Sequence, residues 1–270
     1  TPDDPYAPHN LTTPTPNYSA KLVKHDRALA LSILREGFFC HIGFYDPEAK
    51  VVRVLPRQYG LADDALYLHG PAAFGATTAA EPPVEHASRL YRLIALGHVK
   101  DVCATVSLVD ALALSDAGVH SALSYRSVVV YGKASVVTDT SENGEVANAL
   151  RTISNHIAPG YADAARPANQ AERNYVGVIR IDFVHVSAKA RTGGPTLDDK
   201  AATGASQHWA GVVPIRQVYG PPITASGLKN SIPVPDYVTR LVGGRGATNV
   251  DVDPPRHTAE EPRPTGAPQL

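Results

Sequence analysis

Apolar positions along the chain change their rhythm at Gly37. Residues Lys21 to Glu36 have the look of one amphipathic helix that stops at that glycine. From Phe38 the period shortens to that of extended chain. Phe38–Tyr45 and Val51–Tyr59 read as strands joined by an Asp46-Pro47 turn, and Ala65–His69 is a third strand after a Gly60–Asp64 turn. Short turns between neighbouring strands predict an antiparallel meander, not β-α-β alternation. Gly70–His86 is rich in Ala, Pro, Gly and Thr without periodicity and reads as an inserted loop. Val84–Leu96 predicts a helix closed by Gly97, and Gly144–His156 another that ends before Pro159-Gly160. Val102–Leu114 and Ser124–Thr138 are long Val-rich strands interrupted at Ser115–Ser121. Val176–Ala188 is the last strand, with Val178, Arg180, Asp182 and Val184 in alternation. About six strands with helices at the margins predict a mainly β molecule, a small barrel. A Pro-rich arm (1–20) precedes the domain (21–225), and a Pro/Gly-rich tail (226–270) follows it. An apolar island at Trp209–Ile215 lies inside the domain.

Composition narrows the classes. The chain has 270 residues, 43% hydrophobic and 19% charged, which excludes wholesale disorder. Its 25 basic and 26 acidic residues give a net charge of −1, so neither nucleic acid nor an anionic membrane is an expected partner. No apolar run approaches the roughly 18 residues of a spanning helix. Two cysteines, Cys40 and Cys103, make no disulfide framework and too few thiolates for a metal site, which suits a reducing compartment; the expected location is cytoplasmic. The first residues lack the basic and apolar regions of a secretory signal.

Several familiar motifs are missing: G-x-x-x-x-G-K-[ST], H-E-x-x-H, G-x-S-x-G and a strand–GxGxxG–helix unit. Gly243-Gly244-Arg245-Gly246 has no strand before it. The 11 histidines show no paired ligand spacing, so no metal site is expected, and most read as surface or satisfied core residues. Polar groups do gather at strand ends. In Arg53–Gly60 the proline removes a ladder donor, so that strand is an edge or its backbone faces a ligand. His69 closes a strand just before the loop. Arg126 and Ser127 enter an otherwise apolar strand, Ser124–Lys133. Ser88 and Arg89 open a helix, where free N–H groups and a guanidinium fork suit phosphate; the alternative is a solvated surface arginine.

Taken in order, these segments resemble the pyridoxamine-5′-phosphate-oxidase-like flavin-binding family, in particular its flavin-nucleotide-binding and nitroimidazole-resistance branch. The most specific stretches are Tyr125-Arg126-Ser127-Val128-Val129-Val130-Tyr131-Gly132 and Ala188-Lys189-Ala190-Arg191-Thr192-Gly193-Gly194-Pro195. The resemblance spans roughly residues 25 to 225. It implies a six-stranded antiparallel split β-barrel that forms a homodimer, with FMN between the subunits. By position Arg53, Val54, Leu55, Pro56 and Gln58 would line the flavin, followed by Leu68 and His69. Ser88 and Arg89 match the phosphate-binding turn, and Tyr125, Arg126 and Ser127 the polar contact on the next strand. Lys189, Arg191 and Trp209 match motifs of the closer branch and would close the site from the partner subunit. His69 would face the substrate side and move a proton. The implied activity is an FMN-dependent oxidoreductase for a small organic substrate, with NAD(P)H as a transient donor. The alternatives are a non-catalytic flavin- or haem-binding protein, with His69 as an axial ligand, and a plain interaction module. The 70–86 insertion exceeds the usual link and is either a lid or a shift of the Ser88–Arg89 alignment. Arg57 adds a charge that favours an anionic substrate or the phosphate if it faces the site.

Overall fold

The computed structural model describes residues 4–12, 22–72, 88–197, 204, 206–228 and 232–244. The first helix is shorter than its periodicity suggests. α1 runs Arg27–Glu36, because the Asp26 side chain accepts from Leu29 N and caps it there; Val23–Lys24 before it is a strand, β1. β2 (Phe39–Asp46) and β3 (Val51–Gln58) form the predicted hairpin, closed by the Asp46 carboxylate, which accepts from Glu48 N and Ala49 N at 3.2 and 3.0 Å. The expected turn at Gly60–Asp64 contains a short strand, β4 (Gly60–Ala62), paired with β5 (Ala65–Pro71).

α2 covers Arg89–Ala95, later than the expected start, and residues 73–87 of the insertion lie outside the described residues. β6 (Asp101–Leu114), β7 (Ala122–Val137) and β8 (Val176–Arg191) carry the long Val-rich stretches. α3 (Glu145–Ile157), α4 (Tyr161–Ala164) and α5 (Gln170–Tyr175) connect β7 to β8. The Trp209 island supplies β9 (Gly211–Pro214), and the Pro/Gly-rich tail holds a helix, α6 (Asp236–Gly244). Residues 245–270 lie outside the described residues.

The described strands make one nine-stranded sheet, ordered β3-β2-β6-β7-β8-β5-β4, with β1 on β8 and β9 on β6. Every pairing is antiparallel. The six expected strands are all present, and β1, β4 and β9 are the additions. Ile42 and Phe44 of β2, Val106 of β6, Val130 of β7, Ile181 of β8 and Leu68 of β5 meet in one buried core, so the sheet curls into a barrel. Each of these side chains contributes about 1.5–3 kcal/mol by leaving water. Its two edges, β3 and β4, join through Tyr59, whose buried hydroxyl lies 2.7 and 2.8 Å from the carbonyls of Leu34 and Gly37.

The split opens where pairing stops. β2 and β6 are in register only over His41–Gly43, against Thr105–Cys103. Beyond His41 the pairing ends, and Ser32, Arg35 and Glu36 of α1 line the opening. A register shift between Val109 and Ala111 leaves Asp110 outside the β6–β7 ladder.

Candidate functional site

One end of the β2–β3 hairpin concentrates charge. The Asp46 carboxylate is fully buried, and it accepts from Arg53 Nε at 2.7 Å and from Arg89 Nη2 at 2.9 Å, with Arg89 Nε on its other oxygen. These guanidiniums, Arg89 first, hold the carboxyl well below the ordinary carboxylate range. Beside it Glu48 receives Arg92, the Nη2 of Arg89 at 3.4 Å and His98 Nδ1 at 3.2 Å. Ser88 caps α2, its hydroxyl accepting from Tyr91 N. Sequence reading named Arg53, Ser88 and Arg89, and the fold brings them to one place. Asp46, Glu48 and Arg92 were missed. An Asp-Pro pair reads as a turn, and nothing in the order of residues shows that it faces a helix 43 positions later.

At the hairpin's other end Gln58 meets His69 of β5. Gln58 Nε2 lies 2.8 Å from His69 Nε2. An amide nitrogen only donates, so the ring accepts there and keeps its proton on Nδ1 in the neutral form. Burial, and then the positive charge of Arg57, push the His69 pKa below its usual value of 6.5. Arg57 pairs across β2 with Cys40, a buried thiol pushed up to about 12 and so not a nucleophile at neutral pH. Along β3, Arg53, Leu55 and Arg57 turn towards the barrel interior and are half-buried, while Val54, Pro56 and Gln58 are exposed on the outer side. Leu68 is buried in the core. From Arg53 to Gln58 the strand covers about 17 Å at roughly 3.3 Å per residue.

The remaining predicted residues form a second set. Ser127 is in register with Ser107 on β6 and Lys189 on β8, and Tyr125 with Arg191. Between these and β3 run β2 and β6. Arg126 is held by both oxygens of Asp110, at 2.7 and 3.0 Å, and by Glu36 at the end of α1. It is thereby neutralised and ties α1 to the sheet. Arg191 Nη1 donates to Leu123 O at 3.4 Å, and Trp209 is exposed, its ring lying over Gly211. A groove of about 960 Å³ fills the split itself, lined by Phe39, His41, Ser107, Arg126, Arg216 and Tyr219 among others. Of the predicted residues only Arg126 lines it. The Arg53–Arg89 cluster and His69 lie outside this groove, along the hairpin edge.

Among the described residues no group of three or more His, Cys, Asp or Glu side chains is placed to hold a metal ion, and no helix is long and apolar enough to cross a membrane. A half-buried row of cations at one end of an edge strand and a neutral imidazole at the other suit an elongated anionic ligand. The guanidiniums fit a phosphate, and the imidazole fits a group that exchanges a proton.

The sequence profile described as pyridoxamine 5′-phosphate oxidase matches residues 26–190. Among solved structures the chain is similar to the flavocytochrome Anf3 from Azotobacter vinelandii, with a TM-score of 0.71 and 27% identity over 87% of this chain and 98% of that one. It is also similar to the FAD and haem binding protein from Mycobacterium smegmatis, with a TM-score of 0.67 and 20% identity over 82% of this chain and 97% of the other, a likeness of fold. No curated protein matches the chain significantly in sequence.

Proposed function

The chain belongs to the pyridoxamine 5′-phosphate oxidase family, and from that premise we propose that it is an FMN-dependent oxidoreductase acting on a small organic substrate. The observation that carries this reading is the β3 strand, with the Asp46-anchored Arg53 and Arg89 at one end and the Gln58–His69 pair at the other. Arg53 and Arg89 would hold the flavin phosphate, and Val54, Leu55, Pro56 and Gln58 would lie along the rest of the molecule. Bound there, the flavin supplies transfer of two electrons between a transient donor such as NAD(P)H and the acceptor. His69 holds its proton at Nδ1 and orients a polar group of the substrate, and Gln58 fixes the ring's tautomer. Ser127 and Lys189 face outward together on neighbouring strands, where a partner subunit's flavin would meet them.

A second reading has one observation in its favour. The flavocytochrome from Azotobacter vinelandii resembles this chain over 87% of its length at 27% identity, and its name joins a flavin with a haem. In that reading the protein holds haem beside flavin, and His69 is a candidate iron ligand.

An absorption spectrum of the purified full chain separates the two. Flavin gives a band near about 450 nm and haem a Soret band near about 400 nm, both general cofactor values. The oxidoreductase reading expects the flavin band with one flavin per chain, and the mass of the released cofactor distinguishes FMN from FAD. A protein that stays colourless after incubation with FMN overturns it.

A further inference from the structure

Resting on the reading of β3 and α2 as a flavin-phosphate site, we propose that Asp46 is its positioning residue: a buried carboxylate that sets Arg53 and Arg89 side by side so that their free edges grip one phosphate. Asp46 is the last residue of β2 and has no exposed surface. One oxygen accepts from Glu48 N, Ala49 N and Arg89 Nη2 at 3.2, 3.0 and 2.9 Å, and the other from Arg53 Nε at 2.7 Å and from Arg89 Nε. Arg89 is therefore clamped by its Nε–Nη2 edge and Arg53 by Nε. Arg53 Nη1 and Nη2, and Arg89 Nη1, have no protein acceptor among the described residues. The guanidiniums remain more than a third exposed while the carboxylate between them is not exposed at all.

Two guanidiniums repel one another, and without a carboxylate between them they would point apart into water. Asp46 removes that repulsion and fixes both planes before any ligand arrives, which lowers the ordering cost of binding. Glu48 adds a second carboxylate that takes Arg92 and the flank of Arg89. Three guanidiniums then stand against two carboxylates, and the excess positive charge suits a bound phosphate ester. A residue that served only the hairpin would need the two turn N–H bonds and neither arginine.

The test compares FMN with riboflavin, which lacks the phosphate, by flavin fluorescence on the full chain freed of bound flavin. Asp46→Asn keeps an oxygen for the turn but cannot bridge two guanidiniums. It is expected to weaken FMN about tenfold to a hundredfold, the usual effect of removing an orienting partner, and to change riboflavin less than about threefold. Equal losses for both ligands, or an undiminished FMN preference, overturn the positioning role. A wild-type protein that binds FMN no tighter than riboflavin overturns the phosphate site as well, so the two failures are told apart. If Asp46→Asn does not fold, Asp46→Glu decides: it keeps the charge and both arginines but moves the carboxylate by one methylene, out of the place that sets the two planes. Selective loss of FMN supports the proposal, and a retained preference overturns it.

Discussion

His69 is the residue where environment and proposed chemistry meet. Burial and the Arg57 charge both disfavour the imidazolium, so the ring stays neutral below its ordinary value of 6.5. His69→Ala is expected to keep flavin bound yet slow turnover by roughly 10²–10⁴-fold, the range for a lost proton-transfer group. Steady-state rates at saturating substrate measure this, and an unchanged kcat removes the role. The same shift has a stability consequence. A lowered native pKa means that the unfolded chain takes up the proton first, so the contribution is complete above pH 6.5. It is lost as the pH falls through the native pKa. Compared with His69→Gln, the wild type should therefore lose more stability between pH 7.5 and pH 5.5 in urea unfolding. Parallel losses in the two proteins would show that another group titrates. His69, Arg53 and Arg89 were legible because each sits at a strand end or helix start with a polar group out of pattern. Asp46 was not, since its partners come from β3 and α2 and only the folded hairpin unites them.

At the scale of elements, periodicity located every strand of five or more residues among the described residues, and the helices α1, α2 and α3. It failed for β1, β4 and β9, which have two, three and four residues, too few to show a period of two. These short pieces form by pairing with a neighbour already in place. β4 shows how tightly such pieces pack. A Cβ built on Gly60 would lie 2.7 Å from both Cα and N of Ile153, on the backbone of α3. Ile153 is itself buried in the smaller cluster that seats α3 on Tyr67, Val137 and Val178. Gly60→Ala must therefore push the whole helix outward, and it is expected to cost about 1–3 kcal/mol, the usual penalty of overpacking. The urea midpoint reads this directly. A change of less than about 0.5 kcal/mol would mean that α3 rides freely over the sheet. Since Tyr59, next along the chain, anchors the end of α1, the strain would also reach the β3 end that carries Gln58.

At the scale of the whole molecule, the outer face of the hairpin is exposed among the described residues. Phe39, Tyr45, Val52 and Val54 are 49%, 56%, 75% and 60% exposed, on strands whose inner faces hold the core and the arginine cluster. Among the described residues β3 is also a sheet edge, paired with β2 alone. Large apolar side chains grouped on one exposed face mark an interaction surface. The expected homodimer offers a partner for this face, because Ser127, Lys189 and Arg191 lie on β7 and β8, away from the β3 they would need to serve within one chain. A second copy of the barrel packed on this face would bring its own β7–β8 residues towards a flavin bound along β3, and such a homodimer would complete what a single chain divides. Val52→Lys places a charge at the centre of that face without touching the arginine cluster or His69. It is expected to weaken the dimer about tenfold or more, since burying an unpaired charge is costly, and sedimentation across protein concentration measures the shift. FMN affinity should then fall in step with dissociation, because the proposed contacts from β7 and β8 depart with the partner. A Val52→Lys monomer that binds FMN as tightly as the wild type would place the entire site within one chain and leave Lys189 and Arg191 with no role in it.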